Sequence, residues 1–438
     1  MERIRIYRAQ LYAQARSYWA SKSTPWITQL CGKSGMGKTT LAESYLETFD
    51  GEYFSFRNLD AAFAPRIFLS GCKLWKDFFA EIGKTKNRPV IFFDDVDDKK
   101  EDFLNALPAL SGKAYVVLIV RTQMELPFPS NVIQMTAITV PMLLAENKVL
   151  EPLDALRTIA ITDGIPELVR LFDFQKSFVE NLPLLLTHDS AYFRYAESEL
   201  RRNFRTPETY NILLYGMATG YNRISQLSEF SGFPQNKCDK YLKALDKAGL
   251  LETEQRKDAA GHIRTHYYPE GGYWKTWFRY VFPSQGRYLE VQKEEALQQL
   301  VNEMDKTIVV EYFKKVCWNW LEKNYHSRYW DGLLKFDDPK NRDVVVNRVR
   351  FDYVQTTKDH TIYVKIWDNV QEGFPKATFQ EIEAETASAR PFYDNIYFLF
   401  SAGRACHYVE KLRHLDTVAV VDLKSLLGRK NDGLFEDV

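Results

Sequence analysis

No net charge remains when the sequence is summed, because 58 Lys and Arg stand against 58 Asp and Glu. A whole-molecule basic field of the kind that draws a protein onto nucleic acid or anionic lipid is thereby excluded, so any DNA contact needs a local patch. Cysteine is scarce too. The five residues Cys31, Cys72, Cys238, Cys317 and Cys406 lie far apart with no CxxC pair, and the seven histidines show no zinc-ligand spacing near them. That distribution argues for reduced, mostly buried thiols and against a disulfide scaffold or a zinc site. No run approaches the roughly 18 apolar residues of a membrane span. The N-terminal MERIRIYRAQLYAQARSYW carries Arg and Tyr throughout and lacks the apolar core of a signal peptide. The expected location is the cytoplasm.

What is present is a globular composition, 45% hydrophobic and 26% charged over 438 residues. Such a chain has room for two to four domains, and three are expected. One stretch is specific. Gly32, Lys33, Ser34, Gly35, Met36, Gly37, Lys38 and Thr39 fit G-x-x-x-x-G-K-[ST] without a mismatch. The stretch follows the strand-like PWITQLC and opens a helix in which Leu41, Tyr45, Leu46 and Phe49 recur at helical spacing. Glycines in such a loop let backbone N–H groups turn inward around a β-phosphate, and the helix N-terminus adds partial positive charge. Lys38 then reaches the β- and γ-phosphates of ATP and the Thr39 hydroxyl ligates Mg²⁺, with Thr40 next to it in the binding set.

A second segment agrees. RPVIFFDDVDD is an apolar run, Val90 to Phe93, ending in Asp94 and Asp95. It reads as a buried parallel strand with two carboxylates at its C-terminal edge, where open α/β sheets hold their ligands. Asp94 is the expected Mg²⁺ partner and Asp95 the residue expected to polarise the attacking water, while Asp97 and Asp98 read as solvated loop charges. A third apolar strand, AYVVLIV, ends at Arg121 and Thr122. Arg121 is either a polar sensor near the γ-phosphate, as in P-loop ATPases with an inserted strand, or a structural partner of the Asp cluster.

These motifs resemble the P-loop ATPases of the AAA+ and signal-transduction (STAND) group, and more closely the archaeal-type ATPase family with a winged helix and a nuclease-like C-terminal domain. LRTIAITDGIPELVRLF adds to the resemblance through Gly164-Ile165-Pro166, a Gly-x-Pro that the family carries in its helical lid. The resemblance implies that Pro166 lies near the adenine. Asp95 departs from the glutamate usual in the archaeal family and is the STAND-like choice. The implied architecture is α/β: a P-loop NTPase core with a parallel sheet over 1–135, a helical lid over 136–205, a winged helix (α+β) over 206–284, and a PD-(D/E)XK nuclease-like α/β domain over 285–438.

The middle stretch supports that order from its own pattern. TYNILLYGMATG, RISQLSEFSG and NKCDKYLKALDKAGL read as three helices, and LETEQRKDAAGHIRTHYYPE as two strands joined by a Gly-containing turn. This is the order of a winged helix, with Asn236 to Ala248 as recognition helix. Its face carries Lys237, Lys240, Lys243 and Lys247, and the wing adds Arg256, Lys257 and Arg264, although Asp239 and Asp246 interrupt the helix. The patch is either a phosphate footprint for duplex DNA or a solvated face. In GGYWKTWFRYVFP, Tyr273, Trp274, Trp277, Phe278 and Tyr280 have helical spacing, which favours packing over base stacking.

In the last third, SQGRYLEVQKEEALQQ reads as an interdomain helix and VVEYFKKVCWNWLEKN as a second helix. NRVRFDYVQ, TIYVKIWD, NIYFLFS and TVAVVDL read as strands, with a helix around TFQEIEAETASAR. By the resemblance, an active nuclease of this type holds Mg²⁺ with an Asp on one strand and an acidic residue two before a Lys on the next. Asp352 and Lys365 fit the outer positions, Tyr363 replaces the second carboxylate, and Glu311 is a distant substitute. Phenol is a poor Mg²⁺ ligand, so a nuclease fold without cleavage is expected. The sequence therefore points to a slow Mg-dependent ATPase that works as a nucleotide switch, with a protein partner or self-association as the other expected contact. A DNA-binding regulator or mobile-element protein and an ATP-gated nuclease are the alternatives.

Overall fold

The computed structural model describes residues 9–21, 25–56, 75, 79, 88–96, 101–257, 262–284, 294–324, 341–357, 360–389, 394–412, 415 and 417–427. Cys72, Asp97 and Asp98 lie outside these residues. The chain divides into two compact units, one made of 1–138 with 165–170 and the other of 139–164 with 171–438.

The first unit is built on five strands, β1 (Ile27–Cys31), β2 (Gly51–Ser55), β3 (Val90–Asp94), β4 (Tyr115–Val120) and β5 (Asn131–Gln134). They pair in the order β2-β3-β4-β1-β5, and every pairing is parallel. β4 thus stands between β1 and β3. A central parallel strand is covered on both faces and needs an unbroken apolar run, and every residue of β1, β3 and β4 is buried. Successive side chains go to opposite layers. Ile91, Phe93, Val116 and Leu118 pack with Phe54, Phe56 and Phe103 on one side. Val90, Phe92, Val117 and Ile119 pack on the other against Tyr12 and Trp19 of the helix Ala9–Ser21 and Leu41 and Tyr45 of the helix Lys38–Leu46. Each such side chain contributes about 1.5–3 kcal/mol by leaving water. The helix after the glycine loop ends at Leu46, so Phe49 falls beyond it and stacks on Tyr45 at 4.8 Å. β2 and β5, which carry no strand signal in the sequence, are the two edges of the sheet; β5 alternates in burial and β2 is mixed.

The second unit begins with the helices Val140–Glu146, Pro152–Thr162, Phe178–Leu185 and Ala191–Asn203. The helices Pro207–Ala218, Ile224–Ser231 and Gln235–Lys247 follow, then an antiparallel hairpin of β6 (Leu251–Lys257) and β7 (Ile263–Pro269). The aromatic run after the hairpin packs inward. Tyr273, Trp274, Trp277 and Phe278 are buried, and the Tyr273 hydroxyl donates to the Tyr192 carbonyl while that of Tyr192 donates to the Ile161 carbonyl, both at 2.7 Å. The two glycines that open the run let it approach so closely. At Gly272 a Cβ would come within 1.8 Å of the Ala160 carbonyl oxygen. Asp163 follows the helix Pro152–Thr162 in the left-handed region (φ 51°), and its carboxylate accepts the N–H groups of Gly272 (2.7 Å) and Tyr273 (3.1 Å). One helix end thereby caps the N-terminus of another, Gly271–Thr276.

A buried ionic cluster ties the same helix to the last third of the chain. Arg157 donates from Nε to Asp305 Oδ1 (3.0 Å), from Nη2 to Asp305 Oδ2 (2.6 Å) and from Nη1 to Asp154 Oδ1 (2.8 Å). Gln371 Nε2 donates to Asp305 Oδ2 at 2.8 Å and to Asn302 Oδ1 at 2.7 Å. Asp305 opens a π-helical turn, Asp305–Val309, between the helices Glu294–Met304 and Val310–Asn324. The second sheet then runs β8 (Arg342–Val346), β9 (Val349–Thr356), β10 (His360–Ile366), β11 (Asp394–Ser401) and β12 (Val418–Asp422), in spatial order β12-β11-β10-β9-β8. Its β8-β9 and β9-β10 pairs are antiparallel and its β10-β11 and β11-β12 pairs parallel, with the helix Lys376–Ala389 in the crossover. The four expected strands, the helix of VVEYFKKVCWNWLEKN and that around TFQEIEAETASAR form, and β8 is additional. Of the helix expected over SQGRYLEVQKEEALQQ, residues 285–293 lie outside the described residues and 294–299 fall in the helix Glu294–Met304.

Candidate functional site

The glycine-rich loop connects β1, in the middle of the first sheet, to the helix Lys38–Leu46. Its first residue is pinned to the neighbouring strand end, since the Gly32 N–H donates to the carbonyls of Val120 (3.2 Å) and Arg121 (3.1 Å). Gly35 and Gly37 take φ values of 72° and 78°, in the left-handed region that glycine enters without strain. In the loop Lys33 is exposed, Ser34 half-buried and Met36 buried, and Thr40 in the first turn of the helix is half-buried. Gly37 precedes the helix and no side chain caps it, so the N–H groups of the first turn face the loop. The Lys38 ammonium lies across the loop and donates to the carbonyls of Gly32 (2.5 Å) and Lys33 (2.9 Å). Pro166 opens the short helix Pro166–Val169, which belongs to this unit. The Glu167 N–H donates to the Gly35 carbonyl at 3.2 Å, and a Cβ on Gly35 would come within 2.8 Å of Ile165 Cγ2. The Ile165–Glu167 segment therefore closes over the tip of the loop.

Asp94 and Asp95 stand at the C-terminal end of β3, beside the first turn of that helix. The Thr39 hydroxyl donates to Asp94 Oδ2 at 2.7 Å, so the two expected metal ligands are adjacent. A hydroxyl and a carboxylate oxygen at the mouth of a phosphate loop are a hard-oxygen donor set that fits Mg²⁺. Asp94 Oδ1 accepts the Asp95 N–H at 2.7 Å. Asp95 holds φ 58°, a conformation that costs a non-glycine residue on the order of 1–3 kcal/mol and that collects at functional sites. Its Oδ2 accepts the Ser55 hydroxyl at 3.3 Å. Arg121 is half-buried at the end of β4, beside the start of the loop through its own carbonyl.

Three residues of this site escaped sequence reasoning. Tyr53, on edge strand β2, donates its hydroxyl to the same Asp94 Oδ2 that Thr39 uses. Burial first and the Asp94 carboxylate second push the Tyr53 phenol far above its ordinary range, so it remains a donor. Ser55 does for Asp95 what Tyr53 does for Asp94. The signal for both is the alternation in GEYFS, with polar tips at every second position. Gln29 is fully buried in β1, where its Nε2 donates to the Met124 carbonyl (3.0 Å) and Ser130 Oγ (2.9 Å) while its Oε1 accepts the Met124 N–H (2.8 Å). It fixes the segment that leaves β4 after Arg121.

In the second unit the helix expected over 236–248 spans Gln235–Lys247, and Lys237, Lys240, Lys243 and Lys247 are all exposed on it. Lys243 pairs with Asp239 at 2.7 Å, Arg256 with Glu254 at 2.7 Å, and Lys237 lies over the Phe233 ring at 4.1 Å. The Lys257 side chain is outside the description. On the second sheet, Asp352 is held by Lys314 (2.8 Å) and by the Ile366 N–H (2.8 Å). Lys365 donates to the Arg350 carbonyl at 2.7 Å, and Tyr363 is buried against Phe351 and Tyr397. Glu311 pairs with Lys275 at 2.6 Å.

Residues 28–107 match the family described as "ATPase family associated with various cellular activities (AAA)". The match runs from β1 through the glycine loop and β3 to the helix Glu101–Ala106. Among solved structures, a Walker-type ATPase of Pyrococcus abyssi is similar at 16% identity with a TM-score of 0.39, over 62% of this chain and 95% of that one. The ORC1 protein of Aeropyrum pernix, solved in complex with DNA, is similar at 13% identity with a TM-score of 0.35, over 60% of this chain and 89% of that one. The comparison with curated proteins gave no match. Parallel strands with β4 between β1 and β3, and a G-x-x-x-x-G-K-T loop leading from β1 into a helix, make the first unit a P-loop NTPase fold. Among the described residues no helix is long and apolar enough to cross a membrane.

Proposed function

We propose that the chain is a cytoplasmic ATP-binding P-loop ATPase that works as a nucleotide-dependent switch, coupling ATP binding and slow hydrolysis to rearrangement of its later segments. In this reading the N–H groups from Lys33 to Thr40 cradle the phosphates, that of Gly32 being held by the Val120 and Arg121 carbonyls, and Lys38 exchanges its two loop carbonyls for β- and γ-phosphate oxygens. Thr39 and Asp94 hold Mg²⁺, which neutralises charge developing on the phosphates. Asp95 orients the attacking water, and its side chain, shorter than glutamate, fits slow turnover. Arg121 takes either the sensor role or a structural one, and Pro166 lies by the adenine.

The observation that carries the switch is the Asp163–Glu167 stretch. At one end Ile165 and Glu167 touch Gly35 of the phosphate loop, and at the other the Asp163 carboxylate caps the helix Gly271–Thr276. A shift of the loop tip therefore has a covalent path, through Gly164, to the helix that follows the hairpin. The segment 206–284 is then a winged helix and 285–438 a nuclease-like domain that recognises rather than cuts. The engagement of Asp352 by Lys314 and of Glu311 by Lys275 supports the latter. The four exposed lysines of Gln235–Lys247 favour a second reading, in which this segment contacts duplex DNA.

One experiment tests both readings, namely ATP binding by calorimetry and ATP turnover with Mg²⁺, with and without duplex DNA, beside Lys38→Ala. Slow turnover indifferent to DNA, lost in Lys38→Ala, is the expected result. Stimulation by DNA would promote the second reading, and absence of nucleotide binding by the wild type would sink the first.

A further inference from the structure

We propose that Tyr53 is a positioning residue of the phosphate site, acting through Asp94 to hold the Thr39 hydroxyl in the orientation that a divalent cation needs. The proposal rests on the ATPase reading above and adds to it a residue from an edge strand that carries no motif.

Lone pairs decide how the Asp94 carboxylate is held. A carboxylate oxygen has two, and Asp94 Oδ2 accepts both the Thr39 and the Tyr53 hydroxyls while Oδ1 accepts the Asp95 N–H. Three donors from three directions fix the plane of the carboxylate. Because Thr39 donates its only proton to Oδ2, its own lone pairs are left to face the mouth of the loop, where a cation is bound through oxygen. Oδ2 is saturated by the two hydroxyls, which leaves a lone pair of Oδ1 with which Asp94 would help hold a cation. Without the Tyr53 hydroxyl the carboxylate keeps only the Asp95 N–H and the Thr39 hydroxyl itself, so the acceptor that orients Thr39 is less firmly held. Tyr53 is well placed for this work. It pairs with Phe92 across β2 and β3, two positions before Asp94, and its ring is partly buried beside the core that holds Tyr45 and Phe92. Ser55, the next residue on the same face, reaches Asp95, so strand β2 braces both carboxylates.

Tyr53→Phe keeps the ring and removes the donor. The measurements are the thermal midpoint without ligand, affinity for a fluorescent ATP analogue in EDTA, the Mg²⁺ concentration giving half-maximal analogue binding, and the EPR linewidth of Mn²⁺ bound with the nucleotide. The expected result is an unchanged EDTA affinity with a five- to tenfold rise in half-saturating Mg²⁺ and an altered Mn²⁺ linewidth. In an Asp94→Asn background, Tyr53→Phe should add nothing further, since the residue acts through that carboxylate. Mg²⁺ dependence equal to wild type, or an equal loss of affinity in EDTA, would overturn the positioning role. A wild type that binds no nucleotide with Mg²⁺ would overturn the ATPase reading and this inference together, an outcome distinct from failure of the Tyr53 variant alone.

Discussion

Removing the Asp305 carboxylate should be among the most damaging single changes in the second unit. The Arg157 side chain is 12% exposed and that of Asp305 3%, and two hydrogen bonds of the guanidinium end on Asp305 and one on Asp154. Burial works against the Arg157 charge, but Asp305 and then Asp154 outweigh it and raise the group above its ordinary value. In Asp305→Ala the guanidinium keeps Asp154 as its carboxylate partner, and Gln371 loses one acceptor. Breaking a buried pair from one side costs about 3–5 kcal/mol. At about 2–4 °C per kcal/mol for a domain of a few hundred residues, that is a fall in melting temperature of roughly 6–20 °C. Replacing both partners, Arg157→Met with Asp305→Leu, should recover most of the loss, because neither variant side chain carries a charge that must be desolvated. Differential scanning calorimetry on the single and double variants reads this directly. A single variant that melts within about 2 °C of wild type, or a double variant no better than the single, would refute the reasoning.

Two further outcomes follow from close contacts of the same unit. Gly272→Ala should destabilise by about 3 kcal/mol or more in urea, since its Cβ would meet the Ala160 carbonyl oxygen at 1.8 Å, whereas Gly249→Ala, with open space but φ 68°, should cost only about 1–2 kcal/mol; equal midpoints would contradict this. Burial pushes the Glu252 carboxyl up, but Lys315 at 2.9 Å and Lys275 at 3.4 Å outweigh it and leave the group below its ordinary value. A lowered carboxylate stabilises above its unfolded value, about pH 4.3, and that stability is lost as the pH falls through the folded value. The gap in melting temperature between wild type and Glu252→Gln should therefore be full at pH 6 and close towards pH 3, and a gap that widens on acidification would reverse the sign.

What the sequence disclosed and what it hid divide along physical lines. β1, β3 and β4 are central strands, and a strand buried on both faces announces itself as an apolar run. The glycine loop is equally plain, because its backbone geometry demands particular residues at particular spacings. β2 is an edge strand of mixed burial, so its five residues gave no run, and with it Tyr53 and Ser55 went unseen. Gln29 belongs to no motif, and only the fold shows it clamping Met124 and Ser130. The spacing of Tyr273, Trp274, Trp277 and Phe278 points to packing, and they are buried, but the partners of the glycine pair before them, Ala160 and Asp163, are more than a hundred residues away and leave no local trace. Asp352 has the same history. Its strand was legible, and its tie to Lys314 was not.

The phosphate loop also has a temporal peculiarity. Its unit is discontinuous, and residues 139–164 intervene before Ile165 and Glu167 reach Gly35. On a ribosome adding about 5–20 residues per second, the five-stranded sheet is fully translated on the order of seconds before the segment that covers its loop exists. The helix Pro152–Thr162, which the other unit will use, is made in the interval. The nascent chain thus meets its nucleotide site in an order that neither unit alone dictates, with the loop formed first and its cover delivered by a stretch that has already begun the next unit.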